Sequence, residues 1–381
     1  METRSKQRIA LSTFFFLSGL CFSTWASRIP TLKSTLDINE AELGSLLFVM
    51  PISSMFGLPV SGWLVSKFDS RLPLFVGFVL HAVFLLLIGF ATSIAMLVVL
   101  ISFFAFFMRI FNIAVNTQSL TLQKMFEKKI NGSFHGLWSL GGIAGVGVST
   151  IMLGLEVPMD IHLALVAVVS ILFAGLAYRH LIVGDKSESG NKLQFGKPDS
   201  QILLLGILIL FAAICEGGMF DWSGVYFKEV IKVEIFTAGY LIFMTCMAFS
   251  RFVSDMVVNK IGMKAMYAIS SVMIAIGMAI AVVFPTFWLA MLGFSLVGLG
   301  TAAVVPMTFL LAGTSRKYSP GISLSIVVTY AMIGILLGPV LIGYIAHAFN
   351  LRASFAFLAL AGLAIWPISR YYFKKHGGLE L

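Results

Sequence analysis

Twelve runs of roughly 20 apolar residues follow one another along this chain with only short polar breaks between them, and that spacing constrains the fold more than any other feature. An α-helix rises about 1.5 Å per residue, so each run has the length needed to cross about 30 Å of hydrocarbon. The runs cover residues 9–27, 41–65, 72–91, 94–122, 133–154, 161–181, 201–225, 236–258, 263–283, 286–311, 321–346 and 353–373. In lipid every backbone N–H and C=O needs an internal partner, and for runs of this length that means helices. The breaks at Ala91-Thr92-Ser93 and around Pro285 leave room only for tight hairpins. The one long polar stretch, Asp185 to Ser200, reads as a solvated linker between two six-helix halves.

Composition supports that solvent assignment. The chain is 59% hydrophobic and 11% charged, whereas soluble domains carry about one quarter charged residues. A net charge of +9 raises nucleic acid as a partner, but the basic residues lie between apolar runs and form no patch on a soluble domain. No nucleic-acid binding is expected. Cys21, Cys215 and Cys246 all lie inside apolar runs, with neither a disulfide framework nor metal-ligand spacing. A metal set and a phosphate-cradling Gly-rich loop with Lys are missing too, so no cofactor and no enzyme activity are expected. Arg4, Lys6 and Arg8 before the first run resemble the start of a signal peptide, but the run is long for a signal core and recurs in altered form later in the chain.

Lys and Arg set the orientation. Of the 26, only Arg28, Lys33, Lys228, Lys232 and Arg352 lie on the side opposite the termini, and Arg109 stands alone in mid-membrane. The positive-inside rule then makes both termini cytoplasmic.

The second half of the chain repeats the first. Phe22-Ser-Thr-Trp25 echoes Met219-Phe-Asp-Trp222, and Glu42-Leu-Gly-Ser-Leu-Leu-Phe48 echoes Thr237-Ala-Gly-Tyr-Leu-Ile-Phe243. Lys67-Phe-Asp-Ser-Arg71 answers Lys260-Ile-Gly-Met-Lys264, and Gly141 with Gly145 answers Gly334 with Gly338. Four matches across a six-span offset point to parallel repeats of the kind that rock about a mid-membrane site.

Twelve spans, a central loop and basic loops after spans two and eight resemble the major facilitator superfamily over essentially the whole chain. Trp25-Ala-Ser-Arg-Ile-Pro30, Phe134-His-Gly-Leu-Trp-Ser-Leu-Gly-Gly142, Asp221-Trp-Ser223 and Gly338-Pro-Val-Leu-Ile-Gly343 resemble, more narrowly, its YbjJ-like bacterial branch. The resemblance implies an all-α membrane protein of twelve transmembrane helices in two pseudo-symmetric six-helix bundles. It also implies a bacterial inner-membrane location and alternating access. The expected divisions are an N-terminal bundle 1–182, a cytoplasmic linker 183–200, a C-terminal bundle 201–376 and a tail 377–381 that reads as an appended remnant. The superfamily's signature loop, Gly-x-x-x-Asp-Arg-x-Gly-Arg-Arg/Lys, is only partly kept from Gly62 to Arg71, with Ser66 where an acid is expected. The resemblance implies that Lys67, Arg71, Arg251, Asp255, Lys260 and Lys264 latch the cytoplasmic ends in the outward-open state, with the Ser66 departure weakening the first-half latch.

Candidate transport residues come from charge where charge is costly. Arg109 sits about 15 residues into its run, where a charge costs at least roughly 2.5 kcal/mol. Asn112, Asn116 and Gln123 follow at helical spacing and make a polar stripe suited to lining a cavity. The alternative is that Arg109 only ties helices together. Glu216 lies about 14 residues into the seventh run, roughly 21 Å from the cytoplasmic edge, where an acid can take up and release protons or pair with Arg109. A neutral structural Glu is the competing reading. Asp221 and Trp222 match Thr24 and Trp25 by the repeat, so the two Trp are expected to face each other across a cavity mouth or simply to anchor at the interface. Arg28 either draws an anionic solute to the outer opening or snorkels. His135 and Trp138 open the fifth run, while His81 is expected to be a neutral, hydrogen-bonded core residue. Gly298, Gly300 and Pro306 in the tenth run, and Gly334, Gly338, Pro339 and Gly343 in the eleventh, are expected to allow bending and close packing.

Together these readings give a secondary transporter of a small organic solute, coupled to protons, working as a monomer in a lipid bilayer. A lipid or amphiphile translocator of the flippase or drug-efflux type is the alternative, favoured by the Phe-rich and Met-rich spans. Gly145 is followed by Val146, where drug antiporters carry a Gly-Pro pair.

Overall fold

The computed structural model describes residues 3–126, 130–185, 199–315, 317–318 and 320–376, apart from the side chains of Asn131, Asp255, Pro320 and Gly321. Most of the expected linker and the tail 377–381 lie outside the described residues. The helices are α1 (Thr3–Thr35), α2 (Glu40–Lys67), α3 (Arg71–Ile88), α4 (Ile94–Gln123), α5 (Asn131–Gly154), α6 (Met159–Tyr178) and α7 (Ser200–Glu229). They continue with α8 (Ala238–Ile261), α9 (Met263–Val283), α10 (Phe287–Thr301), α11 (Val304–Gly313), α12 (Pro320–Ala348) and α13 (Leu351–His376). With α10 and α11 taken as one span, 11 helices among the described residues are long and apolar enough to cross a membrane, and the apolar stretch Ala238–Ser254 of α8 is shorter.

Local sequence signals set several helix starts. Asn39 and Glu42 form a reciprocal capping box at the head of α2: the Asn39 backbone N–H donates to Glu42 Oε2 at 2.8 Å, and the Glu42 N–H to Asn39 Oδ1 at 2.9 Å. Ser93 accepts from the Met96 N–H ahead of α4, and Asp199 from the Ile202 N–H ahead of α7, each satisfying an orphan donor of the first turn. Two spans differ from the sequence reading. The first continues past Ala26 and Pro30 to Thr35, because Arg28 is buried with partners instead of ending the apolar run. The tenth is broken between Thr301 and Val304, beside Gly298, Gly300 and Pro306. Thr301, Ala302, Ala303 and Val304 are each no more than 2% exposed, so the interrupted backbone is enclosed by protein and kept from lipid.

The chain forms two compact units: Met1–Asp37 with Val49–Lys192, and Ile38–Phe48 with Leu193–Leu381. In the first, α1 packs chiefly on α5 and α6, and α3 on α4 and α6. In the second, α7 packs on α12 and α13, and α9 on α10 and α13. The repeat seen in the sequence returns as equivalent packing. A Cβ on Gly141 would overlap the Phe16 carbonyl of α1, and one on Gly334 would meet the Leu210 carbonyl of α7, so the same small-residue position brings α5 onto α1 and α12 onto α7.

Candidate functional site

In the first unit, Arg109 projects from the middle of α4 and is half-buried. Its Nε donates to Ser54 Oγ of α2 at 2.7 Å. Asn112 and Asn116 are half-buried on the same helix, and the Asn116 amide donates back to the Asn112 carbonyl at 2.7 Å. The Gln123 side chain serves as a local anchor, accepting from the Ile130 N–H at 2.7 Å.

In the second unit, Glu216 of α7 and Arg251 of α8 form an ion pair, Arg251 Nη2 to Glu216 Oε1, at 3.0 Å. The Glu216 side chain is 17% exposed and that of Arg251 37%. Thus Glu216 takes its cation from the neighbouring helix of its own unit in place of Arg109. Arg251, expected at a cytoplasmic latch, lies 10 residues short of the end of α8, and α7 offers it an acid there. Asp221, also half-buried, has no hydrogen-bond or ion-pair partner among the described residues.

Arg28 neither snorkels nor reaches an outer opening. It is 2% exposed, its Nε donates to His162 Nδ1 at 3.0 Å, and its Nη2 to the Val157 carbonyl at 3.1 Å, so it ties α1 to α6. Trp25 and Trp222 are likewise buried, and Trp25 packs against Phe104 with centroids 5.8 Å apart. Both rings are shut off from solvent, where the sequence reading has them at a cavity mouth or anchored at the interface. His81 is the buried core residue expected, with Nδ1 3.1 Å from the Phe104 carbonyl and its ring stacked on Phe104. His135 is exposed, edge-on to Phe15, and Trp138 is half-buried near Phe22.

The signature loop is tied within its own unit. Lys67 is exposed over the Trp63 ring, 4.7 Å from its centroid. Arg71 lies over the Tyr178 ring and donates to the Tyr178 carbonyl at 3.2 Å. Asp185, which the sequence reading assigned only to the linker, accepts from the Ser70 N–H at 2.9 Å and from its hydroxyl at 2.5 Å. The Gly184 N–H reaches Asp69, and Gln118 exchanges two hydrogen bonds with the Ile182 backbone. Lys260 and Lys264 are exposed where α8 ends and α9 begins, and the side chain of Asp255 lies outside the described residues.

Costly intramembrane charges on a doubled helical plan characterise transporters, and the family comparison agrees: the model of the Major Facilitator Superfamily matches residues 11–315. The chain belongs to the major facilitator superfamily. It is 33% identical over 369 residues to an uncharacterized MFS-type transporter of Yersinia pestis, covering 96% of this chain and 95% of that one. It is 28% identical over 377 residues to the membrane protein MosC of Rhizobium meliloti, covering 97% and 91%. Among solved structures it resembles the nucleoside transporter NupG, with a TM-score of 0.74 at 16% identity over 98% of this chain and 100% of that one. A bacterial homologue of the lysosomal transporter Spinster in an inward-facing, occupied conformation gives 0.79 at 12% identity over 100% and 99%. These structures establish the shared fold. As a superfamily member the protein is a multi-pass secondary transporter of small molecules, not an enzyme.

Proposed function

We propose that this superfamily member moves a small organic solute by alternating access, coupled to protons through Glu216. The observation that carries the reading is the ion pair between Glu216 and Arg251 inside the spans. A carboxylate held by a single cation has two alternative states, paired and ionised or protonated and released, and the exchange moves one proton. Asp221, half-buried with no partner among the described residues, is the second proton-handling candidate of the same helix. The excess of Lys and Arg on the side of the termini supports a bacterial inner-membrane protein with both ends cytoplasmic, and the single chain is its working unit.

The test is flux in proteoliposomes of a solute found by binding, with and without an imposed pH gradient. The wild type should concentrate the solute only with the gradient, and Glu216→Gln should retain exchange while losing that response. Flux indifferent to the gradient in the wild type and unaltered by the substitution refutes the coupling.

A further inference from the structure

We propose that Arg109 is the anchor for a carboxylate on the transported solute, so that the substrates are organic anions bearing a hydroxyl or amino group. The inference rests on the transporter reading and extends it to substrate class. Arg28, Arg109 and Arg251 lie well inside their helices and are held in three different ways. Arg251 is neutralised by Glu216. Arg28 is 2% exposed and is engaged at both Nε and Nη2 by His162 and the Val157 carbonyl. Among the described residues Arg109 has only its Nε engaged, at 2.7 Å from Ser54 Oγ, and no carboxylate of theirs lies within 4.0 Å of it.

That arrangement fixes the guanidinium and leaves its outer fork free. Ser54 is 3% exposed, so its hydroxyl is itself held in packing. One turn further along α2, a Cβ on Gly57 would lie 3.0 Å from Arg109 Cβ, so α2 runs directly against the arginine stem. With Nε occupied, the two terminal amino groups present the parallel N–H pair that fits the two oxygens of a carboxylate. A half-buried cation without an acid is costly in hydrocarbon, and a solute carrying the missing negative charge offsets that cost. One cation matches one negative charge, which favours a carboxylate over a phosphate dianion. Asn112 and Asn116 lie one and two turns along the same face. The Asn116 amide nitrogen is engaged by the Asn112 carbonyl, which leaves its Oδ1 to accept from a hydroxyl or amine on the solute.

The test uses the full chain in lipid nanodiscs and a panel of lactate, gluconate, glutamate and mandelate, each matched with its primary amide. Acids of the panel should raise the apparent stability and their amides should not. Arg109→Gln should weaken acid binding roughly ten- to hundredfold, the loss of a charge-assisted bidentate contact, while Arg109→Lys should weaken it less. Phenylglyoxal labelling of the wild type, read by mass spectrometry, keeps the proposal testable if the variants fail to fold. Arg109 should react and Arg28 should not, and acids that bind should protect Arg109. Inert Arg109, a panel without acid binding, or acids and amides acting alike overturns the anion site. Amide binding that survives Arg109→Gln overturns it while leaving the transporter reading intact. An acid that binds through Arg109 but is never moved across proteoliposomes supports the anion site and counts against the transport reading for that solute.

Discussion

Replacing Glu216 and Arg251 singly and together separates the strength of their contact from the cost of stranding either partner. A single Nη2–Oε1 contact at 3.0 Å would be worth roughly 5 kcal/mol by Coulomb's law at an effective dielectric of about 20. Exposed pairs measure only about 0.2–1 kcal/mol once side-chain ordering and screening are included. Glu216 is 17% and Arg251 37% exposed, and the pair is monodentate, so the coupling belongs between these limits, at about 1–3 kcal/mol. Glu216→Gln leaves a cation in a helical span, and Arg251→Gln leaves an anion there, so each single change should destabilise more than removal of both charges warrants. Reversible unfolding in mixed micelles should therefore give a double variant more stable, by the coupling energy, than the two single effects added together. Single effects that add within about 0.3 kcal/mol would show that the contact carries no energy.

Two further outcomes follow from packing and loop geometry. Gly141→Val, which drives a side chain into the Phe16 carbonyl, should cost about 1–3 kcal/mol, and Gly334→Val a similar amount against Leu210; a loss in one with unchanged thermal unfolding in the other would refute the equivalence of the two helix pairs. Asp185→Ala removes two acceptor contacts to Ser70 and should cost about 1–3 kcal/mol locally, measured as faster hydrogen exchange around Ser70 with little change at Arg109.

The spans were legible because hydrophobic length is a property of the chain itself. α9 has the limits 263–283 read from the sequence, and most other helices differ by a few residues. The repeat was equally legible, since Gly141 and Gly334 must be small for a backbone to approach closely. Partnerships were not legible, because they depend on which helix faces meet. Depth in the membrane makes Arg109 a partner for Glu216, yet α8 offers it Arg251. The available signal was an acid in the seventh run and a cation well inside the eighth, the only run of the second half with one near its middle. Arg28 reads as an interfacial residue because it lies three residues beyond Trp25, just past the first apolar run. Its true environment comes from α6 and from His162, more than a hundred residues away. Asp185 illustrates the same limit: nothing local distinguishes a solvated linker acid from one that clasps Ser70.

The interruption between α10 and α11 bears on how the chain is made as well as on how it packs. Fifteen residues extend about 22 Å and ten about 15 Å, so neither rod alone matches a hydrocarbon slab of about 30 Å. During synthesis the machinery that partitions nascent segments into lipid must accept both pieces as one entrant. The peptide groups at the joint are then sheltered only once α10 has packed on α8 and α9 and α11 on α7 and α12, so this span is settled by its neighbours as much as by its own sequence.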